Sequence, residues 1–293
     1  MSEKLNIHFD METSDPDDIF ALCILSNHPK VNLTSVSITP GSKDQIGLIK
    51  KLFSKLGINV PVGSKNKDHN KSCVSKFYYN WLGSIKSTEP DDTGANVILN
   101  SHKSYPNLIV VCGAALGNIA NFLNLADQKI EKVVIQGGFA GDNVVPEQHV
   151  LPKFKGKITC PTFNLNGDVK AAQTVLQSYK INQRYNVSKN VCHGVIYDQG
   201  MQEWVRPYRW KNSGTSLLFD GMDFYLKTHK TGKAFHDPLA ACVAIDPSIC
   251  QFEEVELYRE RGEWGSRKSN RHNTLISVSV DMEKFKNVMV GND

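Results

Sequence analysis

Asp10-Met11-Glu12-Thr13-Ser14-Asp15-Pro16-Asp17-Asp18 places five carboxylates in nine residues. An apolar run from Leu5 to Phe9 leads into it, and an apolar-periodic segment from Ile19 to Leu25 leads out. The pattern predicts a strand, an acidic loop and then a helix from about Asp17 to Asn27. Such a loop sits at the C-terminal edge of a first strand, where open α/β sheets place their ligand sites. Carboxylates this close repel one another, so a positive charge should offset them. A divalent cation is the obvious candidate.

Outward from the loop, the chain continues in alternation. A strand is expected at Leu33 to Thr39, broken by Pro40-Gly41-Ser42. Lys43 to Leu56 has helical spacing, and Gly57 ends it. A short strand at Val60 to Gly63 precedes a polar stretch over 64–90, interrupted by the aromatic knot Phe77-Tyr78-Tyr79-Asn80-Trp81. Asn96 to Ser101 reads as helix. Leu108 to Cys112 is a continuous apolar strand of the buried parallel kind. It turns through Gly113-Ala114-Ala115-Leu116-Gly117-Asn118 into a helix ending at Leu125. Further strands are expected at Lys132 to Gln136, Ile158 to Phe163, Val191 to Tyr197, Phe252 to Arg259 and Thr274 to Val280. Further helices are expected at Asp168 to Ser178, Ser216 to Lys227 and Pro238 to Ile245. This alternation argues an α/β fold with a mainly parallel central sheet flanked by helices, as one domain over 1–293.

The totals narrow the function. The net charge is +4 from 34 basic and 30 acidic residues, so nothing calls for nucleic acid or an anionic membrane as partner. No basic-then-apolar leader opens the chain, and no apolar stretch approaches the ~20 residues of a membrane span. Seven scattered cysteines without a Cys-x-x-Cys read as small core residues, which points to a reducing, cytoplasmic compartment.

Part of the acidic loop has a purely structural explanation. Asp15 can be an N-cap, Pro16 the first helical residue, and Asp18 the third position of a capping-box-like pattern. That leaves Asp10 and Glu12 unexplained. His236-Asp237 before Pro238 can likewise be a helix start, and Thr162 to Asp168 a capped turn. The aromatics Trp204, Tyr208 and Trp210, with Tyr78, Tyr79 and Trp81, are either core or a stacking surface for a base. Arg259, Arg261, Arg267, Lys268 and Arg271 are either a solvated hairpin or a phosphate grip.

Taken in order, these motifs resemble the calcium-dependent nucleoside hydrolases of the inosine–uridine-preferring type. The acidic loop resembles that family's D-T-D-P-G-x-D-D. Ala114-Ala115-Leu116-Gly117-Asn118-Ile119-Ala120 resembles its G-P-L-T-N-I-A turn, and Gly137-Gly138 its glycine pair. Thr162-Phe163-Asn164 followed by Asp168-Val169-Lys170-Ala171-Ala172 resembles its E-F-N and D-P-x-A-A, and His236-Asp237 its late H-D. The resemblance implies Ca2+ held by Asp10, Asp18, Asp237 and the Gly117 carbonyl. It implies a sugar held by Asp17 and Asn164, and His236 near the leaving base. The expected activity is hydrolysis of the N-glycosidic bond of a nucleoside or nucleoside derivative, with a place in purine or pyrimidine salvage. The expected partner is a small nucleoside or nucleotide, with a homo-oligomer left open.

The departures fall on the sugar pocket and the base. Glu12 stands where the family's loop Asp would take a proton, and one extra residue follows it, so Glu12 or Asp15 is the candidate base. Thr162 replaces the family's Glu, and Ser42 its Asn, at sugar-contacting positions. Cleavage through an oxocarbenium-like sugar suits fixed carboxylates around a hard cation and one oriented water. Two other readings compete. One is a non-catalytic nucleoside- or sugar-binding homologue. The other is a metal-dependent phosphohydrolase using Asp10-x-Glu12, which lacks a placeable downstream Lys and acidic motif.

Overall fold

The computed structural model describes residues 3–69, 71–271 and 273–292. Its strands are β1 (Leu5–Met11), β2 (Val31–Ile38), β3 (Val62–Ser64), β4 (Asp92–Thr93), β5 (Ile109–Cys112), β6 (Ile130–Gln136) and β7 (Thr159–Cys160). They continue as β8 (Ile181–Val187), β9 (Ile196–Tyr197), β10 (Lys233–Ala234), β11 (Cys250–Glu260), β12 (Glu263–Lys268) and β13 (Thr274–Val280). Eleven of these form one sheet in the order β4-β3-β2-β1-β5-β6-β8-β13-β11-β12-β7. From β4 through β13 every neighbouring pair is parallel; β11, β12 and β7 close that edge antiparallel.

β1 is central, between β2 and β5, and helices cover both faces, which is why its residues are buried on both sides. Ile7, Phe9 and Met11 face one apolar layer with Val36, Ile38 and Val111. His8 and Asp10 alternate to the other face and are fully buried too. The helix Asp17–Asn27 follows directly; it packs against the helices Ser213–Leu226 and His236–Ile245. Its run Ile19 to Leu25 is buried throughout, so it is apolar all round rather than striped. Among the described residues, no helix is long and apolar enough to cross a membrane.

The helices Asp17–Asn27 and Lys43–Leu56 and strand β13 occupy the predicted spans, and Gly57 ends the second helix in a left-handed conformation, φ 71°. Other expectations need correction. Of Val191 to Tyr197 only β9 at its end is strand: Lys189–Cys192 is helical, and among the described residues β9 pairs with β10 and not with the main sheet. The sheet takes β8 instead, whose Arg184 and Asn186 interrupt any apolar run. Of Ile158 to Phe163 only β7 is extended, and Phe163 opens a helix, Phe163–Gly167. The aromatic knot forms the helix Lys76–Leu82. β12, between the two late strands, and a helix after them, Met282–Met289, were not expected.

The capping expectation also fails. Pro16, not Asp15, occupies the N-cap of the first helix, and no side chain caps it. The loop carboxylates are therefore not consumed by their own helix.

Candidate active site

The loop after β1 and the start of the helix His236–Ile245 meet at the C-terminal edge of the parallel strands. Asp17 and Asp18 come from the first, Asp237 from the second. One carboxylate oxygen of each lies within 4.8 Å of the others, and all three residues are buried. Asp17 Oδ2 accepts the backbone N–H of His236 at 3.0 Å and of Asp237 at 3.2 Å, so it caps a helix more than two hundred residues away. Asp18 Oδ1 accepts Glu12 N–H at 3.0 Å. Asp237 Oδ1 is buried without a hydrogen-bond partner. Burial, then the neighbouring carboxylates, push the Asp18 and Asp237 carboxyls well above the usual range. Three buried carboxylates with an orphaned oxygen form a donor set suited to a hard divalent cation.

Gly113 explains why the two helices can come so close. A Cβ there would lie 2.7 Å from Asp237 Oδ1 and 2.8 Å from Asp18 Oδ1. The strand end that bears it is pinned by Gly113 N–H donating to the Asp10 carbonyl at 2.8 Å.

Asp10 is fully buried and is not one of the three. Ser37 Oγ donates to its Oδ1 at 2.6 Å and Asn118 Nδ2 at 2.8 Å, while Cys112 Sγ stands 3.6 Å from Oδ2. Burial raises its carboxyl to about 6, against the pull of those hydrogen bonds. The contact with Ser37 ends a longer chain. His8 Nε2 is 2.8 Å from Ser37 Oγ, His8 Nδ1 is 2.6 Å from Ser35 Oγ, and Ser35 Oγ is 2.7 Å from Ser101 Oγ. With Asp10 ionised, Ser37 must donate to it. Ser37 then accepts from His8 Nε2–H, His8 Nδ1 accepts from Ser35, and Ser35 accepts from Ser101. Burial lowers the His8 imidazole to about 3, so it stays neutral and serves only as a link.

Lys233 is the main addition the sequence did not signal. Its ammonium reaches Asp15 Oδ1 at 2.9 Å and Asp17 Oδ1 at 3.2 Å from a side chain only 8 % exposed. Those two carboxylates raise the Lys233 pKa against the lowering by burial. A lysine is ordinarily a surface residue, so nothing around Gly232-Lys233-Ala234 marks it. Glu12 is differently used: its carboxylate accepts only backbone N–H groups, those of Ser14 and, at 3.2 Å, Asp15.

Glu12, Asp15, Asp17, Asp18 and Asp237 line a cavity of about 440 Å3 together with Gly113, Gln136, Thr162, Phe163, Asn164, Lys189, His193 and His236. Asn164 Nδ2 donates to the Gln136 carbonyl at 3.0 Å and to its Oε1 at 2.7 Å, which holds the amide in place. Thr162 Oγ1 and His236 Nδ1 are buried without partners. The His236 and His193 rings lie 4.5 Å apart. Burial lowers the first to about 4 and the second to about 3, so both are neutral near pH 7. Phe163, 78 % exposed, is the aromatic of this cavity.

Several sequence candidates are not among the residues that line this cavity. Ser42 is not among the lining residues; its hydroxyl turns to Asp44 and Gln45 at the start of Lys43–Leu56. Gly117 opens the helix Gly117–Leu125, and a Cβ there would run into Lys65 Nζ. Lys65 in turn pairs with Asp168 at 2.8 Å. Tyr78 is buried and donates to the Asp15 carbonyl at 2.8 Å, and Trp204 packs on Tyr208, so these aromatics are structural. The hairpin cations pair across β11 and β12, Arg267 with Glu256 and Lys268 with Glu253. Arg259 and Arg271 line a separate hollow of about 700 Å3 that shares no residue with the acidic cavity.

The sequence model described as inosine-uridine preferring nucleoside hydrolase matches residues 7–287. The chain is similar to the inosine-uridine preferring nucleoside hydrolase of Leishmania major, 22% identical over 307 residues that cover 92% of this chain and 91% of the other. Its fold is similar to a plant nucleoside hydrolase, with TM-score 0.73, 16% identity and 98% of each chain covered. It is also similar to the inosine-uridine preferring nucleoside hydrolase of Bacillus anthracis, with TM-score 0.70 and 16% identity over 98% of this chain and 99% of that one.

Proposed function

Because the chain belongs to the inosine-uridine preferring nucleoside hydrolase family, we propose that it hydrolyses the N-glycosidic bond of a nucleoside or nucleoside derivative with Ca2+ in its acidic cluster. The observation that carries this reading is the orphaned, buried Asp237 Oδ1 beside Asp17 and Asp18, in a cavity shared with Asn164 and His236.

In this reading Asp18 and Asp237 hold the cation, with Asp10 and the Gly117 carbonyl as the further ligands that the resemblance implies. Held there, a divalent cation would supply Lewis-acid chemistry, favouring ionisation of one water and binding sugar hydroxyls. Asp17 and Asn164 orient the sugar. Glu12 takes the proton from the attacking water, since Asp15 is held by Lys233 and its charge is already paired. The fixed carboxylates favour positive charge as it develops on the sugar carbon. His236, neutral near pH 7, positions the leaving base by hydrogen bonding rather than bringing a spare proton. Asp10, enclosed by Ser37, Asn118 and Cys112, is not presented as a nucleophile, which speaks against the phosphohydrolase reading. A reducing compartment is part of this reading, since all seven cysteines are free, and a role in base salvage is part of it on the ground of the family alone.

The test uses protein stripped with a chelator, desalted, and given back Ca2+. Free base should be released from at least one member of a broad panel of nucleosides and nucleotides, and release should stop on renewed chelation. Tight nucleoside binding without any turnover would establish the non-catalytic homologue instead.

A further inference from the structure

The cavity is lined by two sets of charged and polar groups. The acidic wall is the set of carboxylates of Glu12, Asp15, Asp17, Asp18 and Asp237, partly offset by Lys233. The second set is Thr162, Lys189 and His193. Lys153 joins it from outside the lining, its Nζ donating to His193 Nδ1 at 2.8 Å. Lys153 and Lys189 both lie over the Phe154 ring, at 5.2 and 6.0 Å from its centre, so the two ammonium groups share one patch. Among the described residues neither has a carboxylate within 4.0 Å. Lys189 Nζ is anchored by the Pro161 carbonyl at 2.7 Å, one residue from Thr162.

Thr162 adds the second observation. It is 3 % exposed, and its hydroxyl has no hydrogen-bond partner. Leaving a buried hydroxyl unpaired costs about 1–3 kcal/mol, a cost relieved when a ligand accepts from it. The sequence also lacks an acidic residue here: Thr162 stands where the resemblance places a glutamate. A carboxylate at that point would repel an anion, whereas a hydroxyl can donate to one. Two ammonium groups that, among the described residues, have no carboxylate partner and one orphaned hydroxyl form a site for oxygen anions, since charge-assisted hydrogen bonds are the strong ones.

We propose that the substrate is an N-glycoside carrying an anionic oxygen group, phosphate or carboxylate, which docks on Thr162, Lys189 and Lys153 while the sugar meets the acidic wall. This rests on the hydrolase reading and narrows its substrate class. The cations that serve it are these, and not the arginines of the β11–β12 hairpin, which pair with each other's neighbours or line the other hollow.

The experiment compares a neutral nucleoside, its 5′-monophosphate, and a nucleoside of a carboxylated pyrimidine, all with the Ca2+-loaded protein. Both kcat/KM and Kd are measured. At least one anionic substrate should exceed the neutral parent about tenfold or more. Phosphate preference places the anion on the sugar, and carboxylate preference places it on the base. In Lys189→Gln with Lys153→Gln the anionic-to-neutral ratio should collapse about tenfold, and Lys189→Glu should invert it. Lys155→Gln, an exposed lysine outside the cavity, should leave the ratio unchanged. Equal or better use of the neutral nucleoside overturns the inference but leaves the hydrolase reading intact. If no substrate is cleaved, the hydrolase reading fails. The Kd ratios then still decide the anion site: a loss of anion preference in the lysine variants supports it, and no preference in the unmodified protein overturns it.

Discussion

His8 Nε2 stands 2.8 Å from Ser37 Oγ in the middle of a parallel sheet, and with Ser37 donating to Asp10 that contact is left for His8 Nε2–H to donate. The hydroxyl donates to Asp10 at 2.6 Å, so β2 orients a carboxylate of β1. Ser37→Ala removes this donor and leaves His8 Nε2 without its partner. We expect a loss of about 1–3 kcal/mol in urea unfolding and a Ca2+ affinity weakened about tenfold. Calcium titration of the variant decides the point: an unchanged affinity would mean that the chain serves stability alone.

Gly113 is the narrowest point of the acidic group. Gly113→Ala puts a methyl carbon 2.7–2.8 Å from the oxygens of Asp237 and Asp18, well inside contact distance. The expected outcome is a fold retained by circular dichroism, with Ca2+ binding weakened tenfold or more and base release reduced at least as far. Unimpaired calcium binding would show that neither carboxylate is a ligand.

Lys233 distinguishes Asp15 from Glu12, since among the described residues it pairs with the first and with Asp17 but not with Glu12. Glu12→Gln should lower kcat by about 10²-fold or more while leaving nucleoside binding within threefold, as for the loss of a general base. Asp15→Asn frees one side of the Lys233 ammonium but keeps Asp17 as its partner. Its effect should be under about tenfold and divided between kcat and KM. The reverse ranking in steady-state kinetics would move the base to Asp15.

His102 tests a different kind of buried group. It is 5 % exposed, lies edge-on to Phe122 with ring centres 5.8 Å apart, and neither ring nitrogen has a hydrogen-bond partner. Burial lowers its pKa, so the unfolded chain takes up a proton that the folded chain refuses. Its stability contribution is intact above the ordinary histidine value and is lost as the pH falls below it. His102→Leu should be neutral or stabilising by up to about 1 kcal/mol at pH 7.5, and its advantage over the unmodified protein should grow at pH 5.5. A urea midpoint difference that shrinks on acidification would contradict this.

What the sequence made legible was local. Apolar runs bounded by glycine, proline or charge gave the helices Asp17–Asn27 and Lys43–Leu56 and the strands around the acidic loop, because periodicity and stop signals agree there. β8 stayed hidden because Arg184 and Asn186 are buried polar residues inside a strand, with Arg184 Nε satisfied by the Val175 carbonyl at 2.9 Å. The acidic loop could be recognised as a site, but not how its charges are shared. Asp17 is held by amides 219 and 220 residues on, and Lys233 pairs with Asp15 across 218. His193 was likewise hidden inside an expected strand. Spacing along the chain carries no signal for contacts of that reach. The resemblance supplied the late His-Asp pair, and its gap at Lys233 reflects a residue that the family's motifs do not contain.

The cap that Asp17 places on the helix His236–Ile245 has a consequence in time. During synthesis, at ~5–20 residues per second, the acidic loop leaves the ribosome well before the amides it must bind, which follow 219 and 220 residues later. The nascent chain thus carries an exposed acidic loop for about 10–45 s with no Asp237 to complete the group and no Lys233 to temper it. Metal affinity should therefore switch on only once the helix His236–Ile245 has emerged and docked. A chain stalled before residue 233 should be calcium-blind, and one that extends past this helix should take up the ion.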